Sequence, residues 1–275
     1  MNKFSLLIIL RCVSLLCITL VSNSSAIIIR HDVGPQRYEV RESLYPSVFF
    51  LEQQGIRKVC AATVIHPQWA ITAAHCVEET LLGNTLANGR DFAVFVAGQD
   101  REIDTVIIHP EFDLENANDV DLALLRFKQA SSTPRAMPLY LQELELDSIV
   151  TLLGWGYFGL GTTGRQYSDG GLRLAMNRII GVDRRLRIRF DDPRNSVSQA
   201  LPLEGMPSLG DSGSPALLEN EKGLFLVGIT IGELTADDFS EETQGKYGAI
   251  AIYESVIIQL GWIETVIGSS VPFDS

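Results

Sequence analysis

The chain has 275 residues and carries 22 lysines and arginines against 34 aspartates and glutamates, a formal net charge of −12. That length is enough to bury a substantial core, as one large domain or two small ones. So acidic a balance argues against nucleic acid as a partner, because phosphate binding needs clustered cations.

Residues 1–26 read as a signal peptide, leaving 27–275 as the folded domain. Lys3 precedes an apolar stretch broken only by Arg11. Ser24 and Ala26 then give the small-x-small pattern of a signal-peptidase site, so cleavage is expected after Ala26. The alternative, an uncleaved membrane anchor, is disfavoured because the uninterrupted apolar run after Arg11 is about ten residues, short of the ~20 that span a bilayer; no stable membrane insertion is expected once the signal is gone. Cys12 and Cys17 leave with that segment. Cys60 and Cys76 remain, an even pair in an exported chain, which predicts one disulfide; the alternative is two buried thiols.

From about residue 45 onward short β-type runs follow one another between turns: 47–51 (SVFFL), 92–98 (FAVFVAG), 105–109 (TVIIH), 122–127 (LALLRF), 149–156 (IVTLLGWG), 186–190 (LRIRF), 224–232 (LFLVGITIG) and 247–253 (YGAIAIY). β-Branched and aromatic residues dominate them, and Gly, Pro, Asn and Asp separate them. The run RRLRIR, Arg184 to Arg189, alternates charged and apolar residues as a solvated strand face does. The polar, turn-rich stretches 156–165 and 233–246 read as exposed loops. Residues 255–267 place Val256, Leu260, Ile263 and Ile267 at helical spacing. Many strands with a terminal helix predict an antiparallel all-β fold built as barrels.

Serine-based hydrolysis needs a base for the hydroxyl proton, an acid that holds the base, and donors for the developing oxyanion. Only four histidines are available as base. His31 lies near the expected new N-terminus, and His66 and His109, each followed by proline, read as turn residues at strand ends. His75 stands directly before Cys76 in WAITAAHCVEE, where a disulfide would fix the backbone that carries it. For the acid, NDVDLALLRF offers Asp119 and Asp121. Asp121 immediately precedes the apolar run and is expected inside, with Asp119 exposed. Asp211-Ser212-Gly213, within PSLGDSGSP, supplies a nucleophile flanked by Gly210 and Gly213, whose backbones can let N–H groups converge on one point.

TAAHC, DVDLALL and GDSGSP, in that order, resemble the trypsin/chymotrypsin superfamily of serine endopeptidases. CAATVIHPQWAITAAHC resembles its cysteine-bracketed strand pair, LLGWG its mid-chain element, LVGITIG the strand lining the substrate cleft and LGWIETVI its closing helix. The resemblance covers roughly residues 45–267. It implies two six-stranded antiparallel β-barrels packed face to face, with a C-terminal helix and the active site between the barrels. It also implies His75 as general base, Asp121 as its orienter, Ser212 as nucleophile, and the N–H groups of Gly210 and Ser212 as the oxyanion hole.

Three departures from the family pattern bear on function. The usual basic residue followed by IVGG is absent; signal cleavage would instead expose Ile27, whose ammonium is expected to pair with Asp211. Ser208 stands where a bracing cysteine is common, so the pocket walls are expected to be held by packing alone. Met206 occupies the usual base of the specificity pocket, and Gly232 and Gly248 its lining, which implies an apolar or aromatic rather than Arg/Lys preference. The expected protein is therefore an exported, periplasmic or extracellular, monomeric serine endopeptidase acting on polypeptides. It needs no cofactor, and no residues are spaced as a metal site. The alternative is a catalytically silent binding protein on the same scaffold, its oxyanion hole unformed.

Overall fold

The computed structural model describes residues 27–113, 115–116, 119–234 and 244–273. The expected signal peptide and most of the 233–246 stretch lie outside the described residues.

A short strand β1 (Ile28–Ile29) precedes the first barrel, formed by β2 (Val48–Gln54), β3 (Arg57–His66), β4 (Trp69–Thr72), β5 (Phe92–Val96), β6 (Gln99–Ile108) and β7 (Ala123–Phe127). These hydrogen-bond in the order β2-β3-β4-β7-β6-β5, and β2 and β5 approach without a ladder between them, so the barrel is nearly closed. The helices α1 (Cys76–Glu79) and α2 (Leu82–Ala87) fill the connection between β4 and β5.

The second half comprises β8 (Ile149–Gly154), β9 (Phe158–Leu160), β10 (Gly164–Tyr167), β11 (Arg173–Val182), β12 (Arg185–Arg189), β13 (Gly205–Met206), β14 (Pro215–Asn220), β15 (Gly223–Glu233) and β16 (Ile250–Ser255). Six of them close fully, in the order β11-β12-β16-β15-β14-β8. The expected double barrel is thus present, six strands in each barrel.

Side-chain alternation explains the barrels. In β5 and β11 buried and more exposed positions alternate, as period-2 strands with one face on a core require. β3 differs, because Val59 to Ile65 are buried at every position. One face of β3 fills the first barrel, and near Cys60 and Ala61 the strand is covered by the loop that carries Ser212. There the N–H of Cys60 donates to Gly210 O at 3.1 Å and that of Ala61 to Ser212 O at 2.8 Å.

Two expectations about local structure are corrected. Residues 156–165 are no exposed loop. They contain β9 and the first half of β10, and β9 pairs in parallel with β1, whose other edge pairs with β13. The terminal helix α3 is shorter than the periodicity predicts, spanning Leu260–Ile267, because Ser255 still belongs to β16 and the N–H of Val256 bonds to Val227 O at 3.2 Å. Ile263 of α3 is fully buried in the first-barrel core, with Leu260 and Ile267 packed against it, so the chain's last element ties the second barrel back to the first.

Candidate active site

His75 lies in the first turn after β4, preceded by the fully buried Ala73 and Ala74. Its neighbour Cys76 is joined to Cys60 of β3 by the expected disulfide, S–S 2.02 Å. Closing that loop, with a sequence separation of 16, contributes about 3 kcal/mol in the chain-entropy description. Cys60, His75 and Cys76 place three ligand-type atoms within 4.8 Å of one another, but both sulfurs are spent in the disulfide, so the set does not form a metal site.

Asp121 immediately precedes β7, and the register of β4 against β7 pairs Thr72 with Ala123, which delivers the two side chains to one place. Asp121 Oδ2 lies 2.6 Å from His75 Nδ1, and Oδ1 accepts the His75 backbone N–H at 2.9 Å. A carboxylate at Nδ1 assigns the ring proton to that nitrogen and leaves Nε2 free to accept one. Burial lowers the pKa of His75, but the hydrogen bond and charge of Asp121, with the charges of Glu79 and Asp119, outweigh it; the net direction is upward.

Ser212 is half-buried at the mouth of its loop. Its carbonyl bonds to Ala61, next to the cysteine that anchors His75, so adjacent residues of β3 hold both halves of the site. Gly213, at φ 78°, admits no side chain: a Cβ there would lie 2.2 Å from Ala61 O and 2.3 Å from Thr72 Oγ1. Within the loop the N–H groups of Asp211, Gly213 and Ser214 are satisfied by Ser208, Thr230 and Asp211 carbonyls. Among the described residues those of Gly210 and Ser212 donate to no protein acceptor. Donors left unpaired beside a half-buried hydroxyl are what a developing oxyanion requires.

Asp211 is fully buried. Oδ1 accepts the N–H of Gly156 at 2.7 Å and Oδ2 that of Ser208 at 2.9 Å. Burial pushes its pKa up to about 7, against the pull of the Ser208, Gly156 and Trp155 N–H groups and the charge of Arg173. Among the described residues no cationic side chain forms an ion pair with it. The two glycines of the GWG element make this seat: a Cβ on Gly154 would lie 2.1 Å from Asp211 Oδ1, and one on Gly156 2.8 Å from its Cγ. Sequence reasoning marked GWG as an element but not as the cradle of Asp211; two glycines flanking a tryptophan are the signal that could have shown it.

Other expectations about single residues are tested by their contacts. Ser208 is bonded, not merely packed: its Oγ donates to Tyr157 O at 2.5 Å. That corrects the expectation of walls held by packing alone. Asp119 is buried rather than exposed, paired with Arg185 at 2.7 Å. Correspondingly the RRLRIR stretch is no purely solvated face, since Arg184 and Arg185 both bind the Asp119 carbonyl. His66 and His109 act in turns, each accepting from the N–H two residues on, while His31 Nδ1 lies 2.8 Å from the Tyr247 hydroxyl. Met206 is fully buried and register-paired with Ile28, and among the described residues Cβ atoms built at Gly232 and Gly248 would have no neighbour within 4 Å.

The comparisons with known proteins follow the same lines. The family model described as Trypsin matches residues 35–263. Ovochymase-2 of Mus musculus is 28% identical over 256 residues, covering 82% of this chain and 39% of that protein. Trypsin of Simulium vittatum is 30% identical over 111 residues, 38% of this chain and 44% of the relative. Vitamin K-dependent protein C of Mus musculus is 29% identical over 234 residues, 76% and 46% respectively. The chain thus spans less than half the length of these relatives. Among solved structures, neuropsin, a serine protease expressed in the limbic system of mouse brain, matches in fold with a TM-score of 0.61 at 18% identity, over 84% of this chain and 98% of that one. With a double barrel, a disulfide beside the histidine and a family match that runs through both halves, this chain belongs to the trypsin family.

Proposed function

We propose that this protein is an exported serine endopeptidase that cleaves polypeptides through an acyl-enzyme. Ser212 is the nucleophile, His75 the general base and Asp121 the group that holds it. The carrying observation is the joint geometry at β3: the His75–Asp121 contact at 2.6 Å, and the Ser212 loop bonded to Ala61 with two N–H groups unpaired. His75 takes the hydroxyl proton as Ser212 attacks, and later returns it to the leaving amine. The N–H groups of Gly210 and Ser212 stabilise the tetrahedral oxyanion, each contributing about 3 kcal/mol.

Residues 1–26 direct export, to a periplasm or the medium, and their removal exposes Ile27. In support, Ile27, Ile28 and Ile29 are all fully buried, and Ile28 is held between Met206 and Gly159. Ile27 also carries φ 65°, a left-handed conformation that a β-branched side chain disfavours. That dihedral exists only while residue 26 is attached, so cleavage before Ile27 removes the strain. The freed ammonium is then the cation that Asp211 lacks.

Met206, taken as the pocket base, is uncharged and polarisable, and Gly232 and Gly248 put no side chain over it, which favours an apolar or aromatic residue before the scissile bond. Paired peptidyl phosphonates, one with phenylalanine and one with lysine at that position, test both levels. The expected result is an adduct located on Ser212 by mass spectrometry, formed faster with the phenylalanine reagent. Faster reaction with lysine would overturn the specificity alone, and no adduct on the processed protein would favour a silent scaffold. Because His75 must be neutral to act and its pKa is raised, kcat/KM should fall on acidification through an apparent pKa above the ordinary histidine value near 6.5. A pH–rate profile checks this; an acid limb below that value would contradict the tight pairing with Asp121.

A further inference from the structure

Behind the His75–Asp121 pair lies a buried cluster of charge that the hydrolytic mechanism does not use. Arg185, at the start of β12, donates through Nε to Glu254 Oε1 at 2.7 Å and through Nη2 to Asp119 Oδ1 at 2.7 Å. It also reaches the Asp119 carbonyl at 2.9 Å, which Arg184 binds as well. Arg185 and Glu254 face each other as register partners between β12 and β16, so their side chains share a barrel face. The Glu254 side chain is 0% exposed, and its Oε1 accepts the backbone N–H of Asp121 at 3.3 Å. Asp119 and Asp121 belong to the first barrel, and Arg184, Arg185 and Glu254 to the second. The cluster therefore spans the cleft between barrels and grips both sides of the residue that orients His75.

A buried ion pair is weak evidence for stability, because desolvation offsets most of the attraction. A cation paired with two carboxylates does fix geometry, and its guanidinium supplies several donors in one plane. We propose that Arg185 and Glu254 are positioning residues, a clamp across the two barrels that holds the Asp121 backbone against His75 and sets the charge balance behind that pair. Among the described residues the charged groups around the pair are Glu79 on α1 and Asp119 before β7, and beyond them Arg184 in the β11–β12 turn, Arg185 at the start of β12 and Glu254 on β16. Removing the positive member leaves an excess of negative charge there, which favours the imidazolium. Neutralising Glu254 does the reverse, while a glutamine still offers an oxygen to the Asp121 N–H. The two substitutions therefore act on His75 with opposite sign, which loss of a merely structural brace would not produce.

The test is the titration of His75 by proton NMR in the processed protein, for R185Q, E254Q and the double variant R185Q/E254Q. The expected result is an upward shift of about half a pH unit in R185Q, a downward shift of similar size in E254Q, and a return toward the native value in the double variant. Should R185Q fail to fold, E254Q and the double variant retain the comparison. Shifts of the same sign in R185Q and E254Q, or no shift in E254Q, would overturn the clamp. The kinetic counterpart rests on the hydrolytic reading: kcat for R185Q is expected to drop roughly tenfold with KM unchanged, and R185K, which keeps the charge but not the planar set of donors, to restore only part of it. An undiminished kcat in R185Q, with E254Q titrating like the native protein, would also overturn it. Failure of the native protein to turn over any peptide would sink the hydrolytic reading, while the NMR titration would still decide the clamp.

Discussion

Replacing Ser212 with alanine is expected to lower turnover by on the order of 10⁶-fold, because the three roles act as a unit and loss of the nucleophile removes the acyl-enzyme route entirely. The same substitution should leave the fold almost untouched. Ser212 contributes to the structure through its carbonyl, bonded to the Ala61 N–H at 2.8 Å, and alanine keeps that bond. Its side chain is half-buried at the cleft rather than packed in either core. A change of that kind lies within about 0.5 kcal/mol, or one to two degrees in Tm for a chain of this size. Peptide-amide hydrolysis by the processed protein, with calorimetry on the same preparation, checks both halves. A melting point lowered by many degrees would mean that the hydroxyl serves the loop's structure. Undiminished hydrolysis would remove Ser212 from the mechanism.

What the amino-acid sequence disclosed, and what it hid, follows from the range of the forces involved. TAAHC, DVDLALL and GDSGSP are local words whose residues must lie together for chemistry, and each lands where the site is. Strands such as Phe92–Val96 announce themselves by alternating β-formers. Arg173–Val182 and Pro215–Asn220 do not: RLAM and PALLEN are rich in residues that favour helices, and the barrel overrides that preference by pairing both with β8. The glycine-rich 156–165 stretch has a loop's composition, yet glycine there serves contact, since a Cβ on Gly159 would lie 2.1 Å from Gly164 O. Asp119 reads as exposed because its partner Arg185 is 66 residues away, and no local pattern encodes a pair at that separation. Asp211 is the hardest case, since its neighbours come from the GWG element and the cation proposed for it from the far end of the domain.

A chain beginning at Ile27 is expected to hydrolyse peptides at least 10²-fold faster than the same chain with one residue retained ahead of Ile27, the scale of losing an oxyanion donor. The Gly210 and Ser212 donors share a loop with Asp211, whose buried carboxylate has neutral hydrogen-bond donors but no ion-pair partner among the described residues. Burial holds its folded pKa up at about 7 against an ordinary value of 3.8. An acid raised on folding binds more protons in the native state than in the unfolded one, so stability falls as pH rises between those two values. Over some three units that loss amounts to about 4 kcal/mol at neutral pH. An ammonium from Ile27 would reverse the shift, and with it the loss. The processed protein should therefore melt several degrees above the extended one at pH 7.5, and the gap should narrow at pH 5, where the unpaired acid is already protonated. Both forms can be made behind a removable fusion and compared by calorimetry and peptide hydrolysis across that range. Equal activity of the two forms, or a naturally active protein that starts at Arg30 or later, would detach Ile27 from Asp211. Above neutrality the gap should close again: an ammonium paired with a buried carboxylate is expected to hold its proton above its ordinary pKa, and the stability it contributes is lost as pH climbs through the raised value. Activity should decline there together with Tm, a coupling that titration of His75 alone cannot produce.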